Sequence, residues 1–207
     1  MNKLSDNAFT YGNMILLYCK FNPENLSQQE GDKHTERKVS YDSLPDFVKA
    51  RIVLCVQTFN IIMGSKPDKF NTTIILITDT IFSQVIKDRL IIEGISAQYI
   101  EKDNTSKSIE SVLNNVVNRV RSLDNPPTIY FVGSVWQKEV FDSIASSKFK
   151  DRFKILFEGA LDHRPHELIQ NDKLSEEPKK SSAYYKHKLT NKAIDTLLNY
   201  IFSHKKK

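Results

Sequence analysis

Between Asn71 and Ser134, short apolar runs alternate with amphipathic helices, and this alternation limits what the chain can fold into. Thr72-Thr73-Ile74-Ile75-Leu76-Ile77 reads as a strand and passes at once into Thr78-Asp79-Thr80 and a helix. Gln98-Tyr99-Ile100 reads as the next strand, opening into a polar turn from Glu101 to Ser108. A helix follows in which Ile109, Val112, Leu113, Val116, Val117 and Val120 recur at the i, i+3, i+4, i+7 spacing of one helical face. Thr128-Ile129-Tyr130-Phe131-Val132 is then a strand running into Gly133-Ser134. Strands that read as continuous apolar runs are buried on both faces, which predicts a parallel sheet covered by helices. Such sheets hold ligands at the carboxyl ends of their strands.

The flanking segments extend the pattern. Met14 to Cys19 predicts a first strand. Ser43 starts a helix with Pro45 in its first turn, Asp46 at the capping-box position and Gly64 as a left-handed C-cap. Val48, Ile52, Cys55, Val56, Phe59 and Met63 form its buried stripe. The helix after the second strand turns Phe82, Val85, Ile86 and Leu90 inward and stops at Gly94. A helix from Val135 to about Ser146 turns Trp136, Val140, Phe141 and Ile144 inward, Phe153 to Phe157 is a fifth strand, and an amphipathic helix begins near Thr190. The fold class is therefore α/β: a doubly wound, mainly parallel five-stranded sheet with helices on both faces, Rossmann-like. The 207 residues suit one such domain over 1–207, with polar loops near 20–42 and 162–188 and a basic C-terminal tail. The first loop leaves the end of the first strand, so a lid and a disordered segment are both open readings.

The net charge of +5 gathers at Lys179, Lys180, Lys186, Lys188, Lys192 and Lys205 to Lys207. This reads as a solvated tail in preference to a nucleic-acid patch, although Tyr184-Tyr185-Lys186-His187-Lys188 interleaves aromatic and basic residues as single-strand binders do. Cys19 and Cys55 lie in apolar runs without metal-ligand spacing and read as reduced core residues. The Met14–Cys19 run is too short to span a bilayer or form a signal-peptide core, which argues for a cytoplasmic protein without a membrane partner. His163-Arg164-Pro165-His166-Glu167 holds metal-ligand residue types, but the proline breaks helical spacing and the segment reads as a polar loop, with no metal.

Three helices begin just after strands, near Thr80, near Ser106 and at Ser134, and together their N-termini would favour an anion or phosphate. Asp79 and Thr80, and Ser134 with Gln137, equally suit helix capping. Asp79, Asp103 and Glu110 could converge as acid/base groups or serve the helix starts alone.

Several local matches, in the same order along the chain, resemble the YdcF-like family, the group that also contains SanA and ElyC. Arg51 falls in the first helix, where that family has an arginine. Asp103-Asn104-Thr105-Ser106-Lys107-Ser108-Ile109-Glu110-Ser111 is similar to its turn motif after the third strand. Gly133-Ser134-Val135-Trp136-Gln137 is similar to its segment after the fourth, and Val85-Ile86-Lys87-Asp88-Arg89-Leu90 with Glu93-Gly94-Ile95 resembles its second helix and turn. The chain departs from the family pattern after the first strand, at Cys19-Lys20-Phe21-Asn22, and after the second, at Thr78-Asp79-Thr80, where the family has glycines that let backbone approach a phosphate. Gln137 replaces its histidine and cannot serve as a general acid or base. The strand-end position and the resemblance together give Arg51, Asp79, Ser106, Ser108, Glu110 and Ser134 as the expected ligand contacts, and the resemblance implies S-adenosylmethionine as a conceivable cofactor. Two functions follow: a cytosolic domain binding a small anionic or nucleotide-like ligand at the strand ends, or a non-catalytic degenerate scaffold acting through protein–protein contacts. The sequence leaves open whether any reaction is catalysed.

Overall fold

Strict alternation of side chains along buried strands lets one sheet feed two separate cores. A computed structural model of the protein describes residues 11–21, 39–65, 71–148 and 153–176, all within one compact unit. Five strands, β1 (Tyr11–Tyr18), β2 (Asn71–Ile77), β3 (Ile100–Asp103), β4 (Thr128–Ser134) and β5 (Ile155–Ala160), form one sheet in the order β3-β2-β1-β4-β5. Every pairing is parallel. Ile15 and Leu17 of the central strand, and Cys19 just beyond it, point into one core with Val48, Ile52, Cys55, Phe59, Phe82, Ile86 and Leu90. Met14, Leu16 and Tyr18 point into the other with Ile109, Val112, Leu113, Val116, Val120, Phe131, Val140, Phe141 and Ile144. Helices α1 (Asp46–Ser65) and α2 (Thr80–Ile92) thus cover one face, and α3 (Ile109–Val120) and α4 (Lys138–Lys148) the other. This is the doubly wound, Rossmann-like α/β architecture expected.

The chain leaves β1 toward β2 on one side and enters β4 on the other, so the topological switch point lies between β1 and β4. Pairing places Tyr18 level with Ile77, Ile77 level with Asp103, and Ser134 level with Ala160, so the strands reach a common carboxyl rim.

Four details differ from the sequence reading. The third strand is Ile100–Asp103, not Gln98–Ile100; residues 97–99 form a 3-10 turn. As an edge strand, β3 turns Glu101 and Lys102 toward solvent, so its polar residues passed for a turn. The fifth strand is shifted toward the C-terminus and ends at Ala160. Gly64 is not left-handed; the positive-φ glycine is Gly94, with φ 93°, directly after α2. The supposed polar loop from 162 contains a helix, α5 (His166–Glu176), begun by Pro165, whose carbonyl accepts from Leu168 and Ile169 N–H. By length and composition α1 could cross a bilayer. Here its buried residues Val48, Ile52, Cys55 and Phe59 pack on the sheet. Most of the 20–42 segment, the helix expected near Thr190, the basic tail and Tyr184–Lys188 lie outside the described residues.

Candidate functional site at the strand ends

The switch point is occupied by a buried guanidinium. Arg51 sits on the sheet-facing side of α1 at 1% exposure and reaches across to the end of β4. Its Nε and Nη2 donate to Ser134 Oγ at 3.0 and 2.8 Å, and its Nη1 donates to the Tyr18 carbonyl at 3.0 Å. The Lys20 carbonyl lies at 3.5 Å from the same nitrogen. Among the described residues, then, Arg51 hydrogen-bonds only to neutral oxygens, and its cation is answered at one remove. Burial lowers its pKa, opposed chiefly by the nearby Cys19 and Asp162.

Ser134 transmits that answer. Its hydroxyl takes two hydrogen bonds from Arg51 and donates one to Asp162 Oδ2 at 3.2 Å, which uses the full capacity of a hydroxyl. Its backbone N–H donates to Gln137 Oε1 at 2.8 Å, so Gln137 serves the turn after β4. A Cβ added at Gly133 would come within 2.5 Å of Gln137 Oε1 and push it from the Ser134 N–H.

Asp162, just beyond β5, is the carboxylate on which this side converges. Arg164 grips it through Nε to Oδ1 at 3.0 Å and Nη2 to Oδ2 at 2.8 Å, a two-pronged charge-assisted contact. Trp136 Nε1 adds a bond at 3.0 Å. Burial opposes ionisation of Asp162, yet the bonds from Arg164 and Trp136 win and hold its carboxyl below the ordinary range. Arg164 also donates through Nη1 to Asp172 Oδ2 of α5 at 2.7 Å. The guanidinium carbons of Arg51 and Arg164 lie 5.0 and 3.8 Å from the centre of the Phe47 ring, within cation–π range.

On the other face of the sheet a second carboxyl fills the rim. Glu176, in the last turn of α5, accepts the Ile109 N–H at 3.0 Å through Oε2 and a short hydrogen bond from the Tyr18 hydroxyl through Oε1. Ile109 is the first residue of α3, so the positive end of that helix is capped by the chain's own acid. Burial raises the Glu176 pKa against the opposing effects of these two bonds and of Arg51. Burial likewise raises Tyr18, with Glu176 adding to it.

The expected contact residues divide accordingly. Arg51 and Ser134 touch. Asp79 occupies the N-cap position of α2 without a side-chain cap bond and instead pairs with Lys20 Nζ at 3.2 Å, at the edge of the site. Ser106 is 1% exposed and lies inside the β3–α3 turn, its hydroxyl bonded to Asp103 Oδ2 and approached by Asn115 Nδ2 at 2.9 Å. Ser108 caps α3, its Oγ accepting the Ser111 N–H at 3.3 Å. Glu110 is half-buried in the first turn of α3, one residue after Ile109. Asp103 is a turn residue: burial works against its charge, but bonds from Ser106 and Thr105 hold its pKa below the ordinary value. Among the described residues no three His, Cys, Asp or Glu side chains gather in a metal-binding group.

Tyr18, Asp162, Arg164, Asp172 and Glu176 belong to the site and were not anticipated. The available signal was positional. Tyr18 closes an apolar strand with a hydroxyl, and Asp162 and Arg164 follow a strand at the same rim as Asp79 and Ser134. Beside the network, a cleft of about 960 Å³ opens between the first half of α1 and the end of β5, lined by Phe47, Val53, Leu161, Arg164 and Leu168 among others. Its size is in the range of small-molecule sites. Compared with known proteins, the chain matches no family model, no curated protein and no solved structure.

Proposed function

We propose that this chain is a cytosolic, divergent YdcF-like domain that binds a small ligand bearing an anionic, nucleotide-like group at the carboxyl ends of β1 and β4. The observation that carries this reading is the seat of Glu176. A carboxyl group rests on the first N–H of α3 and the Tyr18 hydroxyl, within the field of a buried Arg51. A phosphate or carboxylate of a ligand would meet the same donors, and the helix terminus favours either. Arg51 contributes by charge, because its donors are occupied by Ser134 and backbone carbonyls. Asp79, at the N-cap of α2, and Glu110, in the first turn of α3, are the acidic residues of the strand-end rim assigned to the ligand's hydroxyl or base groups. The family resemblance adds S-adenosylmethionine to the ligands worth testing.

A degenerate scaffold acting through protein contacts is the second reading. It is favoured by one observation, the saturation of the Ser134 hydroxyl by internal partners.

A thermal-shift screen of nucleotides, inorganic phosphate and S-adenosylmethionine separates the two. A ligand at 100 times its Kd stabilises by about 2.7 kcal/mol, several degrees in Tm for a domain of this size. Ligand binding predicts such a rise for at least one phosphate- or carboxylate-bearing compound, reduced in Arg51→Met. The scaffold predicts no shift with any compound, and the same flat result for Glu110→Ala.

A further inference from the structure

We propose that α5 is an intramolecular strap that closes the strand-end site by placing Glu176 where the ligand's anionic group would bind. This rests on the binding reading above and adds its regulation.

The inward residues of α5 are what set it apart. Helices α1 to α4 are held by apolar stripes, whose burial no small ligand could replace. α5 presents Asp172 and Glu176, at 9% and 8% exposure, one turn apart on the same face. Of its large apolar residues, Leu174 is 66% exposed and Leu168 and Ile169 are only half-buried, so none is sealed in a core as the stripes of α1 to α4 are. Each carboxylate anchor is a contact that another anion could take over: Glu176 on the Ile109 N–H and Tyr18 hydroxyl, Asp172 on Arg164 Nη1 at 2.7 Å. An anion arriving at α3 would therefore exchange one carboxyl for another at little loss of hydrogen bonding, releasing the strap.

The surroundings leave room for this movement. A cleft of about 580 Å³, lined by Trp136, Glu139, Asp142, His166, Ile169 and Lys173 among others, separates much of α5 from the start of α4. Lys173 and Glu139 meet across it at 2.5 Å, with Glu139 78% exposed, a contact open to solvent. The N-terminal end of the strap is fixed instead, because Asp162 holds Arg164 from both sides of its carboxylate directly before Pro165. The strap thus has an anchored start and an exchangeable end.

Hydrogen exchange of the full-length protein reads the strap, and calorimetric titration with inorganic phosphate reads the site. Glu176→Ala is expected to raise exchange across residues 166–176 at least tenfold, while the interior amides of α3 and β4 stay protected. It is also expected to tighten phosphate binding at least tenfold. Asp172→Asn, which loosens the other anchor, should move both readings the same way and serves if Glu176→Ala folds poorly. Unchanged exchange over 166–176 in both variants overturns the strap. Faster exchange with phosphate binding equal to that of the unaltered protein overturns the competition. If α5 opens and neither the unaltered nor the altered protein binds phosphate, the binding reading itself falls.

Discussion

Replacing Ser134 with alanine tests the buried network through its central atom. The Ser134 hydroxyl, on a residue at 0% exposure, accepts from Arg51 Nε and Nη2 at 3.0 and 2.8 Å and donates to Asp162 at 3.2 Å. Each bond to a charged group is worth roughly 1.5–3 kcal/mol, and stranding a buried charge by removing its partner costs roughly 3–5 kcal/mol. Ser134→Ala should therefore destabilise the fold by about 3 kcal/mol. Arg51→Met removes the charge together with its need for acceptors. It gives up the bonds and the contact with Phe47 but escapes the desolvation penalty, for a net cost of about 1–2 kcal/mol. With Met at position 51, Ser134→Ala loses only the bond to Asp162, about 1.5 kcal/mol, the low end of that range for a contact of 3.2 Å. The double-mutant cycle should then give a coupling of about 1.5 kcal/mol. Urea unfolding reads these differences directly: with a slope of about 2 kcal/mol per molar, Ser134→Ala lowers the midpoint by about 1.5 M. Additivity within about 0.5 kcal/mol would refute the idea that Ser134 is the mediator of the Arg51 charge.

Three further outcomes follow from the buried titratable groups. The Glu176 pKa is raised by burial, so docking of α5 is strongest below the ordinary glutamate range and weakens as pH rises through the folded-state value. The groups facing it are Tyr18 on β1, Arg51 on α1 and Asp172 on α5. Exchange over 166–176, corrected for intrinsic rates, should increase as pH rises above the ordinary glutamate range, and a constant or opposite trend refutes this. Asp103 is shifted the other way, so its contribution is present above about pH 4 and fades as pH falls through its depressed folded-state value. Asp103→Ala should cost about 1 kcal/mol at pH 7 in urea unfolding, with the difference from the parent shrinking in acid. Burial pushes the Cys19 thiol up to about 12 and raises Cys55 as well. Neither should react with a thiol reagent at pH 8 until denaturant is added, and rapid labelling of the native protein would contradict their placement.

The parts legible in the sequence are those whose burial is apolar. The α3 stripe from Ile109 to Val120 and the runs of β1, β2 and β4 were plain, because those side chains face the two cores. Edge strand β3 was displaced because it pairs on one side only, and Glu101 and Lys102 mask its extent. Helix α5 was invisible for a different reason. Its most buried positions are Asp172 and Glu176, and buried acids defeat a reading of hydrophobic periodicity. The same fact divided the site. Arg51 and Ser134 could be placed from strand ends and a family resemblance, and they do meet. Asp162, Arg164 and Glu176 are supplied by the segment that read as loop. The bond between Tyr18 and Glu176 joins positions 158 apart, a pairing set by topology.

The Ile109 amide is the most direct reporter of whether an external anion takes the place of Glu176. It donates to the Glu176 carboxyl at 3.0 Å at the opening of α3. Titrating an adenosine phosphate into 15N-labelled protein should shift this resonance early and saturably, together with amides of residues 166–176 as α5 leaves its seat. A saturable titration that moves only resonances remote from Ile109 would contradict the placement of the site, and a spectrum unchanged by phosphate, nucleotides and S-adenosylmethionine would leave the scaffold reading standing.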